Sequence, residues 1–191
     1  MLFFDILITP KCWTQLKRLE IPEISIGTDE NLTKILQNIP NLKHFNAKLS
    51  EITDFTIISK LCPNINILVI QFARYGYYKV TNDNINNLTL HLTNLKMFSI
   101  FVQGQHINSE GIKYIANNCP KLQVLEMINF GSLNSTGFVQ LVNKCPDLKL
   151  LKLNHGIILL YDLEYLSNNL LKLKYMHIKC FTLGNESIYQ F

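Results

Sequence analysis

The chain repeats a short pattern that can be written L-x-x-L-x-L, in which one position separates the last two apolar residues. Apolar residues two positions apart predict a β-strand with one apolar face, because successive side chains point to opposite sides. The pattern occurs seven times, and its first residues stand 23 to 30 positions apart, at Leu16, Leu42, Ile65, Leu95, Leu122, Leu148 and Leu173. A motif that returns at this period indicates a solenoid, in which each repeat adds one strand to the sheet.

Apolar residues at helical spacing fill the stretches between the strands, as in the first repeat at Leu32, Ile35, Leu36 and Ile39. A small polar residue able to cap an N-terminus precedes each of five helices, at Asp29, Asp54, Asn82, Ser109 and Ser135. Proline at the corner, as at Pro40, ends the helix before the next strand. The sixth repeat has Leu159 and Leu160 where capping residues are expected, so we predict that its helix is the least regular.

The predicted fold is an α/β leucine-rich-repeat solenoid, or horseshoe, of about seven repeats. Its parallel sheet lies on the concave side and its helices on the convex side. We predict one domain over 1–191, with an N-terminal edge segment at 1–12 and repeats at 13–180. Residues 181–191 are predicted to start a further, truncated repeat, in which Ile188 opens a helix. The alternative is that this apolar tail folds over the open end of the solenoid.

The five cysteines are an odd number and form no C-x-x-C motif. Cys62, Cys119 and Cys145 stand three residues before the strand motif, where other repeats have Trp, Ile or Leu, so we interpret them as small buried hydrophobic residues. A disulfide framework or a zinc site is therefore not expected. A reducing compartment follows, so the predicted location is the cytoplasm, with the nucleus as a possibility.

Composition and charge exclude several classes of protein. A hydrophobic content of 48% is too high for a disordered chain, and a net charge of +4 is too small to indicate a nucleic-acid partner. The apolar stretch Met1–Ile8 is too short to span a bilayer, so no membrane partner is expected. The five histidines have no metal-binding spacing, and no phosphate loop or nucleophile motif is present. The chain is therefore predicted to be a binding protein without catalytic activity or cofactors.

The predicted binding site is the face of the sheet that carries the positions between the core leucines. Its candidate partner-binding residues are Ile67, Val69, Gln71, Met97, Ser99, Phe101, Val124, Glu126, Ile128, Leu150 and Lys152. The centre of this face is apolar and its flanks are polar and mostly basic, which is typical of a protein-binding surface. The alternative is that a neighbouring copy, a terminal extension or a loop covers the face.

Two other features offer contacts outside this face. Lysines one residue after the strand anchor form a predicted basic edge, either as solvated corner residues or as a contact for an acidic partner: Lys17, Lys43, Lys96, Lys149 and Lys174. An insertion after the third strand forms a predicted rim loop, which either contacts a partner or packs locally, with Arg74, Tyr75, Tyr77 and Tyr78.

One repeat carries a resemblance to a known family. It runs Cys119-Pro120-x-Leu122-x-x-Leu125-x-Met127, then Leu133-Asn134-Ser135-x-Gly137-Phe138, then Cys145-Pro146. This sequence resembles the cysteine-containing leucine-rich repeats of F-box proteins, and it departs from them at Phe130, where that family has a second cysteine. The resemblance covers roughly residues 13–191.

The resemblance implies a protein–protein interaction module similar to the substrate-recruiting arm of an F-box ubiquitin ligase. In that family the F-box docks on the adaptor subunit of the ligase. The stretch before the first repeat is too short for an F-box, so the adaptor is an expected partner only if an F-box lies elsewhere. The alternatives are a stand-alone scaffold or inhibitor unrelated to ubiquitin, or a partial gene product. The identity of the protein target is not predicted.

Overall fold

The computed structural model describes residues 13–72, 79–102, 104, 106–182 and 185–190. Seven parallel strands lie side by side in chain order: β1 (Arg18–Ile26), β2 (His44–Leu49), β3 (Ile67–Phe72), β4 (Met97–Phe101), β5 (Val124–Ile128), β6 (Leu150–Ile157) and β7 (Tyr175–Thr182). The six helices between them are α1 (Asp29–Leu36), α2 (Thr56–Leu61), α3 (Asn82–Thr89), α4 (Ser109–Asn118), α5 (Ser135–Lys144) and α6 (Leu160–Asn169). The predicted α/β solenoid is confirmed.

Each of the seven strands begins two residues after the first residue of a sequence motif. The second and third apolar positions of the motif face the helices. Leu68 and Ile70 of β3 are buried and align with the buried Phe98 and Ile100 of β4. Burying one such side chain contributes about 1.5–3 kcal/mol, so these repeated positions dominate the stability of the fold. We call the opposite side of the sheet, away from the helices, the open face.

Backbone hydrogen bonds join the repeats at the corner before each strand. The carbonyl oxygen of Lys17 accepts bonds from the N–H groups of Lys43 at 2.8 Å and His44 at 2.9 Å. The carbonyl of Lys149 accepts from Lys174 and Tyr175 in the same way. This repeated pairing holds the corners of neighbouring repeats in register.

The buried cysteines also join neighbouring repeats. The Cys62 thiol lies 3.5 Å from the carbonyl oxygen of Ile39, and the Cys145 thiol lies 3.5 Å from that of Cys119. Cys62, Cys119 and Cys145 are free and buried, so their predicted place in the core is confirmed. The thiol hydrogen bonds were not predicted.

The predicted N-caps lie one residue from the observed N-cap in all five helices. The side chains that accept a hydrogen bond from the first turn belong to Thr28, Thr81, Asn108 and Asn134. Either of two adjacent polar residues could have capped these helices, and the sequence does not distinguish them. At α2, the predicted Asp54 does accept a hydrogen bond from the backbone N–H of Thr56, at 2.9 Å.

The residues predicted as caps instead connect one repeat to the next. The Asp29 carboxylate accepts a hydrogen bond from the N–H of Thr53 at 2.9 Å. Asn82 accepts from the N–H of Asn108 at 3.0 Å, and the buried Ser109 hydroxyl accepts from the N–H of Asn134 at 2.7 Å. Each of these bonds satisfies a backbone donor at the start of the following helix.

The sixth repeat has the uncapped helix start that was predicted, although α2 also lacks a side-chain bond at its N-cap and the β1–β2 pairing also shifts register. Its N-cap is Leu159, which makes no side-chain capping bond, and Leu160 is 63% exposed. The pairing of β6 with β7 shifts register between Asn154 and Ile157. Asp162 links this helix to the preceding one, because its carboxylate accepts a hydrogen bond from the Ser135 hydroxyl at 2.6 Å.

The helix predicted to open at Ile188 is wrong. Asn185–Gln190 form a strand, β8, that pairs antiparallel with β7, so that Ile178 aligns with Tyr189. The unpaired edge of β7 offers a row of backbone donors and acceptors, and the β-branched and aromatic residues at 188 and 189 favour a strand. The tail therefore pairs with the last parallel strand, which corresponds to the alternative that it covers the open end. The predicted N-terminal edge segment, 1–12, lies outside the described residues.

Candidate protein-binding face

The strand register brings all eleven predicted contact residues onto neighbouring strands of the open face. They form three rows that cross β3, β4, β5 and β6. The first row is Ile67, Met97, Val124 and Leu150; the second is Val69, Ser99, Glu126 and Lys152; and the third is Gln71, Phe101 and Ile128. Asn154, which was not among the eleven, continues the third row on β6. Ten of the eleven are half-buried and Gln71 is exposed, so these side chains are partly available to a partner.

The first row is a continuous apolar strip. Its four side chains sit on adjacent strands about 4.8 Å apart, which gives a strip about 15 Å long. All four are half-buried, whereas the core residues that alternate with them, such as Leu125 and Leu151, are fully buried. The strip therefore retains apolar surface that a partner could cover.

The second row is mostly polar and separates the apolar residues into two groups. The Ser99 hydroxyl donates a hydrogen bond to the Glu126 carboxylate at 3.0 Å. Beyond this row, Phe101 and Ile128 are aligned neighbours and form a second, smaller apolar group. The sequence predicted a single apolar centre. The structure instead shows two apolar groups, because residues two positions apart along a strand lie in different rows and the row between them is mostly polar.

An ion cluster closes the first row on the β1 side. The Glu20 carboxylate contacts the Arg18 guanidinium at 2.7 Å and Nε2 of His44 at 2.9 Å. Burial lowers the pKa of His44 below its ordinary value, the positive charge of Arg18 lowers it further, and Glu20 opposes this shift. This flank is therefore not simply basic, because Glu20 compensates the neighbouring positive charge.

A ring pair closes the face on the β7 side. The rings of Tyr175 and His177 are stacked, with centroids 6.4 Å apart and an interplanar angle of 6°. Tyr175 is 48% exposed and aligns with Leu150, so the ring extends the apolar strip. The contact was not predicted, although the i, i+2 spacing of the two residues on a strand was the available signal.

The two histidines of the open face lie far apart. His44 and His177 lie on β2 and β7, five strands or about 24 Å apart. Over the described ranges, no cluster of three or more His, Cys, Asp or Glu side chains is placed to hold a metal ion. Burial raises the pKa of Cys62 and of Cys145 to about 12, which keeps both thiols protonated near neutral pH.

Two features lie outside the open face, namely the predicted rim loop and a cavity beside α6. The predicted rim loop, with Arg74, Tyr75, Tyr77 and Tyr78, falls in residues 73–78, outside the described residues. A cavity of about 620 Å³ at the end of the solenoid lies between α6 and the start of β7, and its apolar lining includes Leu163.

None of the helices in the described part of the chain is long and apolar enough to cross a membrane.

Comparison with known proteins finds a distant relationship to an F-box protein. No protein-family model matches the chain. A curated F-box protein, MAX2 homolog A of Petunia hybrida, is 24% identical over 150 residues, which cover 68% of this chain and 20% of the relative. The chain therefore spans about a fifth of the length of the curated relative that it matches. The relative is thus of the protein type whose cysteine-containing repeats the sequence from Cys119 to Pro146 resembles.

Proposed function

We propose that this chain is a leucine-rich-repeat module that recruits a protein substrate to an F-box ubiquitin ligase through the open face of its sheet. The observation that carries the proposal is the half-buried apolar strip of the first row, bounded by the Glu20 ion cluster and the Tyr175–His177 ring pair. An apolar centre with a polar boundary is the usual anatomy of a protein-binding surface.

The assignment to the F-box type rests on two further supports. The repeat from Cys119 to Pro146 resembles the cysteine-containing repeats of that family, and its cysteines occupy buried corner positions. The distant relative is itself an F-box protein. The ligase adaptor enters the proposal as a partner only if an F-box is present elsewhere in the protein.

The proposed mode of action is binding without catalysis or cofactors, in the cytoplasm or the nucleus. The buried thiols support it, because their raised pKa makes them poor nucleophiles. The modest net charge of +4 and the carboxylates on the open face support a protein target in preference to a nucleic acid or a membrane.

The test is a comparison of captured proteins between the wild type and a triple variant. Val69→Lys, Phe101→Glu and Val124→Lys place one charge on each of three neighbouring strands, with alternating sign to limit repulsion. We expect this variant to lose the proteins that wild type captures from cell extract, as measured by quantitative mass spectrometry. Its urea unfolding midpoint should stay close to that of wild type, because the three side chains lie outside the buried core.

The matched control carries the same charges on exposed positions of the helical side, with Gln37→Lys, Leu90→Glu and Asn143→Lys. We expect it to capture the same proteins as wild type. Equal capture by the open-face variant would refute binding through this face, and unfolding of that variant would show that the three residues belong to the core.

The ubiquitin part of the proposal has its own test. The proteins whose capture requires the open face should include substrates of the ligase. Their ubiquitination in cells should fall when the full-length gene product carries the triple variant. If target capture requires the open face but target ubiquitination is unchanged, the module is a scaffold or inhibitor unrelated to ubiquitin.

A further inference from the structure

The two edges of this solenoid differ in the charges they concentrate. Carboxylates gather where strands lead into helices, with Asp29 and Glu30 in the first turn of α1, Asp83 in that of α3 and Glu110 in that of α4. The opposite edge, where helices lead into strands, carries the five lysines that follow the strand anchors. We call these the lysine edge: Lys17, Lys43, Lys96, Lys149 and Lys174.

All five side chains of the lysine edge are exposed. The paired backbone bonds at each corner fix their spacing, since neighbouring strands lie about 4.8 Å apart and the seven strands span about 29 Å. Lys149 donates a hydrogen bond to the amide oxygen of Gln123 at 3.2 Å. Within the described part of the chain, none of the five forms a salt bridge.

A polar groove of about 570 Å³ runs along the first half of this edge. Lys17 and Lys43 line it together with four asparagines, Asn41, Asn64, Asn66 and Asn94. The Asn41 amide already donates to the carbonyl oxygen of Thr14 at 2.9 Å, and the Asn94 amide oxygen accepts from Lys121 at 2.7 Å. No carboxylate and no aromatic ring is among its lining residues. The groove therefore offers positive charge together with groups that both donate and accept hydrogen bonds.

One carboxylate, that of Asp147, lies at the other end of this edge, and the neighbouring lysines lower its pKa. Asp147 contacts Lys172 at 2.5 Å, and this contact holds the pKa of Asp147 below its ordinary value, with Lys149 adding to the shift. A carboxylate is therefore a favourable neighbour for these lysines, whereas the groove near Lys17 and Lys43 has none of its own.

We propose that the lysine edge and its asparagine-lined groove form a second docking surface, for an acidic, extended polypeptide segment. Carboxylates of such a segment pair with the lysines, and its backbone amides hydrogen-bond to the side chains of Asn64 and Asn66. A nucleic acid fits less well, because the groove has no aromatic ring on which bases could stack and no arginine to clasp phosphates. This surface is separate from the open face and adds an electrostatic contact to it.

The test uses a fluorescein-labelled oligo-glutamate peptide of about ten residues, whose extended length of about 33 Å matches the lysine edge. Binding is measured by fluorescence anisotropy, with a Gly-Ser peptide of equal length as the neutral reference. We expect binding of the glutamate peptide only, weakened at least about tenfold between about 50 and 200 mM salt, because exposed charges are screened.

The variant Lys17→Gln/Lys43→Gln/Lys96→Gln should weaken the glutamate peptide about tenfold or more. The matched control, Lys79→Gln/Lys113→Gln/Lys179→Gln, removes the same charge away from this edge and should bind like wild type. Equal loss in both variants, or no binding by wild type at low salt, overturns the proposal. Tighter, edge-dependent binding of a labelled oligothymidylate would replace the acidic polypeptide with a nucleic acid.

Discussion

The thiol of Cys145 donates a hydrogen bond to the backbone carbonyl oxygen of Cys119, which occupies the same position one repeat earlier, at 3.5 Å. Its second neighbour is the carbonyl oxygen of Ala116 in the last turns of α4, at 3.9 Å. Cys62 contacts Leu36 and Ile39 in the same way. The cysteine side chain is thus both a small apolar residue and a donor to the carbonyls at a helix C-terminus, which lack helical partners.

Replacing Cys145 should separate these two roles. We expect Cys145→Ala to lower the free energy of unfolding by about 1–3 kcal/mol, because it removes both buried volume and the donor. Cys145→Val restores apolar volume without a donor, and it should recover only part of the loss. The measurement is urea unfolding followed by circular dichroism. A valine variant as stable as wild type would show that the thiol contributes packing alone.

Alkaline pH should destabilise the fold through the same thiols. Burial raises the pKa of Cys62 and Cys145 from 9.0 to about 12. The unfolded chain therefore loses these protons first, so the stability they contribute is complete below pH 9 and falls as the pH rises above it. Each thiol contributes a slope of about 1.4 kcal/mol per pH unit in this range.

The check is the urea midpoint measured from pH 8 to pH 10.5. The variant Cys62→Ala/Cys145→Ala should be less stable at pH 8 and should lose less stability on alkalinisation than wild type. The same slope in both proteins would contradict the assignment to these thiols, since other titrating groups are shared by the two.

Gly156 is required by the ring of Phe130. A Cβ atom built on Gly156 would overlap the Cε2, Cδ2 and Cζ atoms of that ring, and both residues are buried. We expect Gly156→Ala to cost about 1–3 kcal/mol, because the ring must move within a packed core. Phe130→Leu in the same chain should recover part of the loss, and a double-mutant cycle measures the coupling. Strictly additive effects would show that the two residues do not contact each other.

The contact between Phe130 and Gly156 shows what the sequence could and could not reveal about Phe130. The sequence identified this residue as unusual, but it did not identify the residue that its ring packs against. The motif period identified Phe130 as the residue that departs from the cysteine-containing repeat, but its partner lies in the next repeat. The start of each strand and the three rows of the open face were predictable, because both depend only on a period of two within a strand and a nearly constant repeat length.

Other features depended on choices that local sequence leaves open. Either Asn108 or Ser109 could cap α4, and the structure uses the first as cap and the second as a hydrogen-bond acceptor for the next repeat. Residues 185–190 continue the repeat register and were expected to be helical at Ile188. They form β8 instead, because pairing with the free edge of β7 satisfies more backbone groups than the first turn of an isolated helix.

His44 should titrate below its ordinary pKa, and its two charged neighbours should shift that pKa in opposite directions. The side chain is half-buried beside Ile67 on the open face, with Glu20 and Arg18 on the neighbouring strand. Because its pKa is lowered on folding, chiefly by burial, the unfolded chain gains the proton first as the pH falls. The stability contributed by His44 is therefore present above pH 6.5 and is lost as the pH falls below it.

Two single variants test this directly by NMR titration of the imidazole protons. Glu20→Gln removes the charge that favours the imidazolium and should lower the pKa of His44 further. Arg18→Gln removes the opposing positive charge and should raise it. Shifts of the same sign in both variants would contradict the ion cluster, because only a contact with both neighbours gives opposite effects. At pH values below this lowered pKa, protonated His44 also adds positive charge beside the apolar strip. Capture of an apolar partner should therefore weaken there, and Arg18→Gln should shift that loss to higher pH.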